Sequence, residues 1–163
     1  MNLGISENVK PLLAEVRRFI EEEVLPVDHE YAAEVAVGDR WQYTDRQTEI
    51  REGLKAKAKA KGLWNFFLTD GDSGSGLNTV EYAYLAEEMG KSHLAAQVFN
   101  CAAPDTGNME VLHKCGTEAQ KKQWLEPLMA GEIRSAFAMT EPDVACSDAT
   151  NVRKKLCAII VPC

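Results

Sequence analysis

The residue types best suited to bind a ligand cluster near the end of the chain, between Phe137 and Asp148. A short apolar run leads into the hydroxyls of Thr140 and Ser147, with the carboxylates of Glu141 and Asp148 among them. Hydroxyls and newly exposed backbone amides at the end of a strand suit the oxygen atoms of a ligand. The same residue types also cap turns, and by themselves they favour a capped turn over a binding site.

A glycine-rich stretch is a second candidate site. Gly71, Gly74 and Gly76 precede a predicted helix, and glycines in that place can cradle a phosphate. Asp70 and Asp72 would repel the phosphate, and no strand is evident before the glycines. The stretch is therefore interpreted as a loop, with a nucleotide cradle as the weaker alternative.

The cysteines and histidines do not predict a metal site. The chain has five cysteines, an odd number with no Cys-x-x-Cys pair, which indicates free thiols in a reducing compartment. His113 and Cys115 are two residues apart, and that spacing on a helix points their side chains in different directions. We expect ordinary helix positions for both and no bound metal.

Four alternating lysines resemble a basic motif, but their spacing argues against one. Lys55, Lys57, Lys59 and Lys61 lie on a predicted helix, where residues two apart fan around the axis. They are predicted to form a solvated face.

Composition places the chain among ordinary soluble domains. It has 163 residues, 45% of them hydrophobic and 26% charged, with a formal net charge of −7. The sequence lacks the broad basic surface of a nucleic-acid binder. It also shows no membrane span and no secretory signal peptide. Only residues 152–163 differ, because they carry basic residues and no acidic ones.

Helical periodicity dominates residues 1–131. Apolar residues at three- and four-residue intervals between Val9 and Ile20 predict an amphipathic helix, with Ser6 as its N-cap and Pro26 at its stop. Residues 30–37 are expected to add another turn or two before Gly38.

Capping boxes mark the starts of three further helices. The pairs are Thr44 with Gln47, Asn78 with Glu81, and Thr117 with Gln120. The helices they open are predicted to end at Gly62, Gly90 and Gly131, with Pro127 kinking or shortening the last one. Two other helices are predicted over residues 93–100 and 105–115. Residues 135–140 are predicted to be extended, and the turn at Pro142 follows.

Several blocks of this sequence, taken together, resemble the acyl-CoA dehydrogenase family. The flavin signature of that family matches at Phe137, Ala138, Met139, Thr140, Glu141, Pro142, Ser147 and Asp148. The preceding helix matches at Gly116, Thr117, Glu118, Gln120, Lys121, Trp124, Leu125, Pro127, Leu128, Gly131 and Glu132. Gly62–Leu63, Gly76–Leu77 and Glu87–Glu88 follow the family order upstream. The resemblance covers roughly residues 1–151.

The resemblance implies a mainly α fold, an N-terminal-type helical bundle with a short strand and loop at its C-terminal end. It divides the chain into a helical domain at 1–131, the start of an FAD-contacting β domain at 132–151, and a non-matching tail at 152–163. An alternative splice end, a frameshift, a mis-predicted gene model or a divergent strand would each give such a tail.

The resemblance also implies roles for individual residues. Phe137, Met139 and Thr140 would line the ring of FAD, and Ser147 would contact the FAD pyrophosphate or the CoA substrate. Glu141 would be a structural residue of the turn. The helices that contain Glu87, Glu88, Gln97, Asn100 and Asn108 would border the acyl cavity.

One loop departs from the commonest family pattern. The stretch between Glu141 and Asp148 is one residue longer than usual, and Cys146 replaces a small residue. The longer form resembles a branch whose vertebrate members are large proteins with an added kinase-like or hydrolase-like region.

The implied activity is α,β-dehydrogenation of acyl-CoA thioesters with FAD, as in fatty-acid β-oxidation. The family's catalytic base lies in a later helical domain, so we expect no catalytic residue here and no activity from this chain alone. The alternative is a non-enzymatic, truncated isoform that binds full-length subunits.

The family's partners are acyl-CoA, electron-transferring flavoprotein and further copies of the subunit, as a dimer or tetramer. Its compartments imply an intracellular protein, mitochondrial or peroxisomal in a eukaryote and cytoplasmic in a bacterium.

Overall fold

The computed structural model describes residues 4–39, 41–69, 75–137, 148 and 150, together with the backbone of residues 159–162. These residues form two compact units, Met1–Ala102 and Ala103–Cys163. The described part of the chain is mostly helical, which confirms the predicted fold class.

Unit 1, Met1–Ala102, is built from five α-helices. They are α1 (Lys10–Phe19), α2 (Leu25–Ala33), α3 (Asp45–Ala60), α4 (Thr79–Met89) and α5 (Ala95–Val98), with a π-helical segment at Ile20–Val24 and a 3₁₀ turn at Glu34–Ala36. The last helix is shorter than the predicted 93–100 at both ends. At its start, the Ser92 hydroxyl accepts hydrogen bonds from the backbone N–H groups of Leu94 and Ala95, and beyond its end Asn100 has a φ of 55°, outside the helical region.

Unit 2, Ala103–Cys163, contains α6 (Asp105–Cys115), α7 (Glu118–Gln120), a π-helical segment (Lys121–Leu125), α8 (Glu126–Ala130), β1 (Ile133–Ala136) and β2 (Ile159–Pro162). The strands pair antiparallel, with Ser135 opposite Ile160. The strand β2 falls within residues 152–163, the segment predicted to be a non-matching tail.

The three predicted capping boxes are all confirmed. At each, the side chain of Thr44, Asn78 or Thr117 accepts from the backbone N–H three residues later, and the Gln or Glu there accepts in return. Each box satisfies donors that a helix start otherwise leaves unpaired.

Neither Pro26 nor Pro127 ends its helix, and the predicted stop at Pro26 is wrong. In each case a π-helical segment comes first, and the residue before the proline donates its N–H five residues back, Leu25 to Ile20 and Glu126 to Lys121. The wider π turn accommodates the proline ring, which would clash with the carbonyl four residues earlier in a regular helix.

Ser6 is not the N-cap of α1. Val9 occupies that position without a side-chain cap, and the Ser6 hydroxyl donates to Glu81 Oε1 at 2.5 Å instead. The same carboxylate accepts from the backbone N–H of Asn78, and these two bonds lower the pKa of Glu81. Ser6 therefore ties the N-terminal segment to the start of α4.

The core of unit 1 centres on three aromatic rings. Phe99 lies between Phe19 and Phe66, with ring centroids 5.4 and 5.6 Å apart in tilted geometry. All three side chains are buried, and the apolar run from Leu63 to Leu68 contributes four buried residues to the same unit. The predicted apolar stripe of the first helix is the face that supplies Phe19.

The lysine-rich helix α3 is less exposed than predicted. Lys55 is buried and donates to Glu52 at 3.1 Å, and Arg51 is also buried, with its guanidinium 4.2 Å from the ring centroid of Tyr43. Glu52 Oε1 accepts from both cations. Paired cations with long aliphatic stems can occupy a buried face, so the predicted solvated face is wrong at Lys55.

Unit 1 also contains a buried carboxylate that joins α1 to α4. Glu88 Oε1 accepts from Arg17 Nε at 3.0 Å and Nη2 at 2.6 Å, and its other oxygen accepts from Lys91. The Glu88 side chain is 7% exposed. The hydrogen bond from Arg17 is the largest cause of the lowered pKa of this carboxyl.

We predict that Glu88→Gln destabilises the chain by about 1–3 kcal/mol at pH 7, because it removes the buried negative charge that accepts charged hydrogen bonds from Arg17 and Lys91. The folded-state pKa lies below the unfolded value of about 4.3, so this stability is present at higher pH and is lost as the pH falls through the folded pKa. Thermal unfolding from pH 7 to pH 3 should show the difference from wild type shrinking below about pH 4. Glu87→Gln, on an exposed neighbour, is the control. A pH-independent difference would contradict the prediction.

Two glycines of the α3 region should respond in opposite directions to alanine. Gly62 follows α3 with a φ of +71°, whereas Gly53 lies within the helix, and an added Cβ meets nothing within 4 Å at either position. Gly62→Ala should cost about 1–2 kcal/mol from left-handed backbone strain. Gly53→Ala should add about 0.5–1 kcal/mol. Chemical denaturation measures both changes, and equal signs would refute the assignment of Gly62 as the residue that ends the helix.

Candidate functional site

The structure places one of the four predicted ligand-contacting residues. Phe137 directly follows β1, and its side chain is 57% exposed. Met139, Thr140 and Ser147 lie outside the described residues, as does Glu141. Phe137 therefore presents an exposed aromatic ring where the candidate loop begins.

Asp148 is hydrogen-bonded to Thr150, two residues later. Its Oδ1 accepts from the backbone N–H of Thr150 at 3.0 Å and from the Thr150 hydroxyl at 2.7 Å. These bonds lower the pKa of the carboxyl, because they favour its ionised form. Residues 138–147, over which the residue types favoured a capped turn, lie outside the described residues.

The strand β1, which ends just before Phe137, is hydrogen-bonded to a buried carboxylate. Asp105 is 3% exposed at the first position of α6. Its Oδ1 accepts from both the backbone N–H and the hydroxyl of Ser135, each at 2.7 Å, and its Oδ2 accepts from Arg134 Nε. All three donors come from two adjacent residues of β1.

A second residue of α6 completes this attachment. Asn108 lies one turn after Asp105, so the two side chains share a helix face. Its Nδ2 donates to the Ser135 hydroxyl at 2.8 Å and, more weakly, to the Ala136 carbonyl at 3.4 Å. Ser135 thus accepts from Asn108 and donates to Asp105 through one hydroxyl.

Sequence reasoning assigned no role to Asp105, Arg134 or Ser135 beyond their places in a helix and a strand. The available signal was an Asp–Asn pair three residues apart at a helix start. Its partners lie about 30 residues away, and no local spacing connects them. The helix that contains Asn108 was predicted to border the acyl cavity, and the described side-chain hydrogen bonds of Asn108 go to β1.

In unit 1, the polar residues named for the helices predicted to border the acyl cavity have different environments. Glu87 is exposed, while Glu88 is buried in its ion pairs. Asn100 donates to Asn65 Oδ1 at 2.7 Å, and both asparagines have positive φ, 55° and 58°. Such backbone conformations are sparsely populated in residues other than glycine, and asparagine tolerates them best.

Gln97 is the member of this group with an unused polar atom. Its Oε1 is buried and has no hydrogen-bond partner, the single such side-chain atom among the described residues. A buried acceptor without a donor costs free energy that a donor supplied from outside the chain would recover. Gln97 is thus the residue of unit 1 best placed to accept a hydrogen bond from a ligand or a water molecule.

The cysteines of the described segments are free thiols. Cys101 is buried and Cys115 is exposed. Burial raises the pKa of the Cys101 thiol to about 11, so it stays protonated and unreactive at neutral pH.

No helix in the described ranges is long and apolar enough to cross a membrane. Across those same ranges, no three metal-ligating side chains are grouped to hold an ion.

Comparison with known proteins gives one consistent result. Residues 6–132 match the family described as "Acyl-CoA dehydrogenase, N-terminal domain". Acyl-CoA dehydrogenase family member 10 from Mus musculus is 50% identical over 158 residues, covering 94% of this chain and 14% of the mouse protein. Acyl-CoA dehydrogenase family member 11 from Gallus gallus is 49% identical over 152 residues, covering 91% of this chain and 19% of the chicken protein.

A solved structure from Mycobacterium abscessus, described as an acyl-CoA dehydrogenase, is 53% identical, with a TM-score of 0.78 over 90% of this chain and 37% of that one. The chain therefore spans well under half the length of these relatives. With most of its length matched by the family and its helices reproduced in a solved relative, this chain belongs to the acyl-CoA dehydrogenase family, of which it carries the N-terminal domain.

Proposed function

We propose that this chain is part of an FAD-dependent acyl-CoA dehydrogenase. Such an enzyme is an oxidoreductase that introduces the α,β double bond into acyl-CoA thioesters in fatty-acid β-oxidation. Residues 1–131 would be its N-terminal helical domain, residues 132–151 the start of the FAD-contacting β domain, and residues 152–163 a tail outside the family pattern. The observation that carries the proposal is family membership across residues 6–132, followed by the exposed ring of Phe137 at the end of β1.

The exposed ring of Phe137 supports a flavin site at the end of β1. The aromatic ring of Phe137 exposes apolar surface to water, and a flat ring system stacked on it would bury that surface. By family resemblance, Met139 would pack beside Phe137, Thr140 would donate to the polar edge of the ring, and Ser147 would contact the pyrophosphate or the CoA substrate. When bound, FAD supplies the electron sink for the oxidation.

The chain's own contribution is binding and orientation. Hydrogen-bond donors that face the place where charge develops stabilise it without further reorganisation, and Thr140 would act in this way. The proton-abstracting carboxylate belongs to a later domain in the family, so no residue here is proposed as catalytic. Acyl-CoA as substrate, electron-transferring flavoprotein as acceptor, further subunits as partners and the intracellular compartments named above are proposed on the same family basis.

We expect the purified chain to retain FAD after free flavin is removed, with a shifted visible absorption band. Phe137→Ala should raise the Kd for FAD about 3–10-fold, because it removes a stacking contact of about 0.5–1.5 kcal/mol. Val111→Ala, at an equally exposed apolar residue of α6, should leave the Kd unchanged. Absence of flavin from the unsubstituted chain would overturn the proposed cofactor site.

We also expect no acyl-CoA oxidation by the chain alone, since it carries no proposed base. The measurement is turnover of acyl-CoA thioesters with an artificial electron acceptor and added FAD. Turnover above the rate without protein would contradict this expectation.

A second role, binding to full-length subunits as a non-enzymatic module, is favoured by the exposed apolar side chains of Val111 and Phe137 in unit 2. Exposed apolar residues of this size suit a protein contact as well as a cofactor. Co-purification with a full-length relative, and a fall in the activity of that relative, would support the role. Elution of the two proteins as separate species on a sizing column would exclude it.

A further inference from the structure

In unit 2, the buried carboxylate of Asp105 is hydrogen-bonded to the short strand β1. Asp105 receives donors from Arg134 and from both the backbone and the hydroxyl of Ser135. A buried carboxylate is tolerated when charge and hydrogen bonds compensate it, and here the described donors are all residues of β1. Asp105 also lies at the N-terminus of α6, where the helix dipole favours a negative charge.

These bonds fix the register of β1 against α6. A strand held by apolar contacts alone could slide, because such contacts are non-directional. Asp105 and Asn108 instead select the hydroxyl of Ser135 specifically, and a shift of one residue would turn that side chain to the opposite face.

The anchored strand ends where the candidate flavin contacts begin. Asn108 Nδ2 lies 3.4 Å from the carbonyl oxygen of Ala136, and Phe137 is the next residue. The network therefore determines the position from which Phe137 leaves the strand.

We propose that Asp105 is a positioning residue for flavin binding, which acts through Ser135 to place Phe137; this inference rests on the FAD site proposed above. Asp105 itself would not contact the flavin. We therefore predict that flavin affinity depends on the carboxylate of Asp105 and the hydroxyl of Ser135, although neither group would contact the flavin.

The test measures the Kd for FAD of the 163-residue chain and its variants, at a temperature at which circular dichroism shows each one folded. In Asp105→Asn, the new amide N–H group would face the donors of Arg134 and Ser135. We expect the Kd for FAD to rise about tenfold or more, which is equivalent to the loss of one charged hydrogen bond. Ser135→Ala should raise the Kd about 3–10-fold. Ser135→Thr keeps the hydroxyl and should restore an affinity near that of wild type.

The matched control is Asp45→Asn. Asp45 is also the first residue of a helix, but it is exposed, so its substitution should not change the Kd. Hydrogen exchange gives an independent readout. FAD should slow amide exchange across residues 133–147 in the wild type and in Ser135→Thr, with a smaller effect in Ser135→Ala.

The outcomes separate the two proposals. Failure of the unsubstituted chain to bind FAD would overturn the proposed cofactor site and this inference with it. Flavin binding by the wild type, with an unchanged Kd in folded Asp105→Asn and Ser135→Ala, would overturn the positioning role alone. If Asp105→Asn does not fold, the Ser135 pair decides, because equal affinities for Ser135→Ala and Ser135→Thr would show that the hydroxyl has no part in placing Phe137.

Discussion

A carboxylate removed from water must be given hydrogen-bond donors, and this requirement organises both units of the chain. Among the described residues two acids are buried, Glu88 in unit 1 and Asp105 in unit 2. Glu88 draws its donors from α1 and from the residues after α4, while Asp105 draws them from β1. Each acid therefore joins one element to another with directional bonds that apolar packing cannot supply.

In unit 2 this requirement connects the fold to the proposed function. The strand β1 belongs to a two-stranded sheet, and a sheet of two strands is only marginally stable by itself. Its attachment to the first turn of α6 gives it a fixed register, and Phe137 emerges from its end with an exposed ring. The proposed flavin contact at Phe137 would need such a fixed point, since loose supporting residues are a common cause of poor site geometry.

The helical fold could be predicted from sequence where the signals are local. The capping boxes at Thr44, Asn78 and Thr117 depend on residues three apart, and each formed as expected. The continuation of the first helix through Pro26 was missed, because a π-helical turn has no clear signature in the side chains that form it. A similar turn precedes Pro127, where the sequence predicted a kinked or shortened helix that ends at Gly131. Burial of Lys55 was missed for a related reason, since it depends on a shared partner, Glu52, and on packing around α3.

The site was predictable only in part. The family motif led to Phe137, whose exposure at the end of β1 agrees with a contact role. Asp105 and Ser135 are separated by 30 residues, and their hydrogen bonds exist only once α6 and β1 have folded together. Gln97 was considered as part of a helix, but its unpaired buried oxygen became evident only from its surroundings.

The most direct test of this account is the crystal structure of the chain with FAD. The account predicts the flavin ring in van der Waals contact with Phe137, and β1 still bonded to Asp105 through Arg134 and Ser135. A flavin bound to another surface, such as the exposed Trp41 and Tyr43 of unit 1, would contradict it. So would a bound flavin with β1 detached from Asp105.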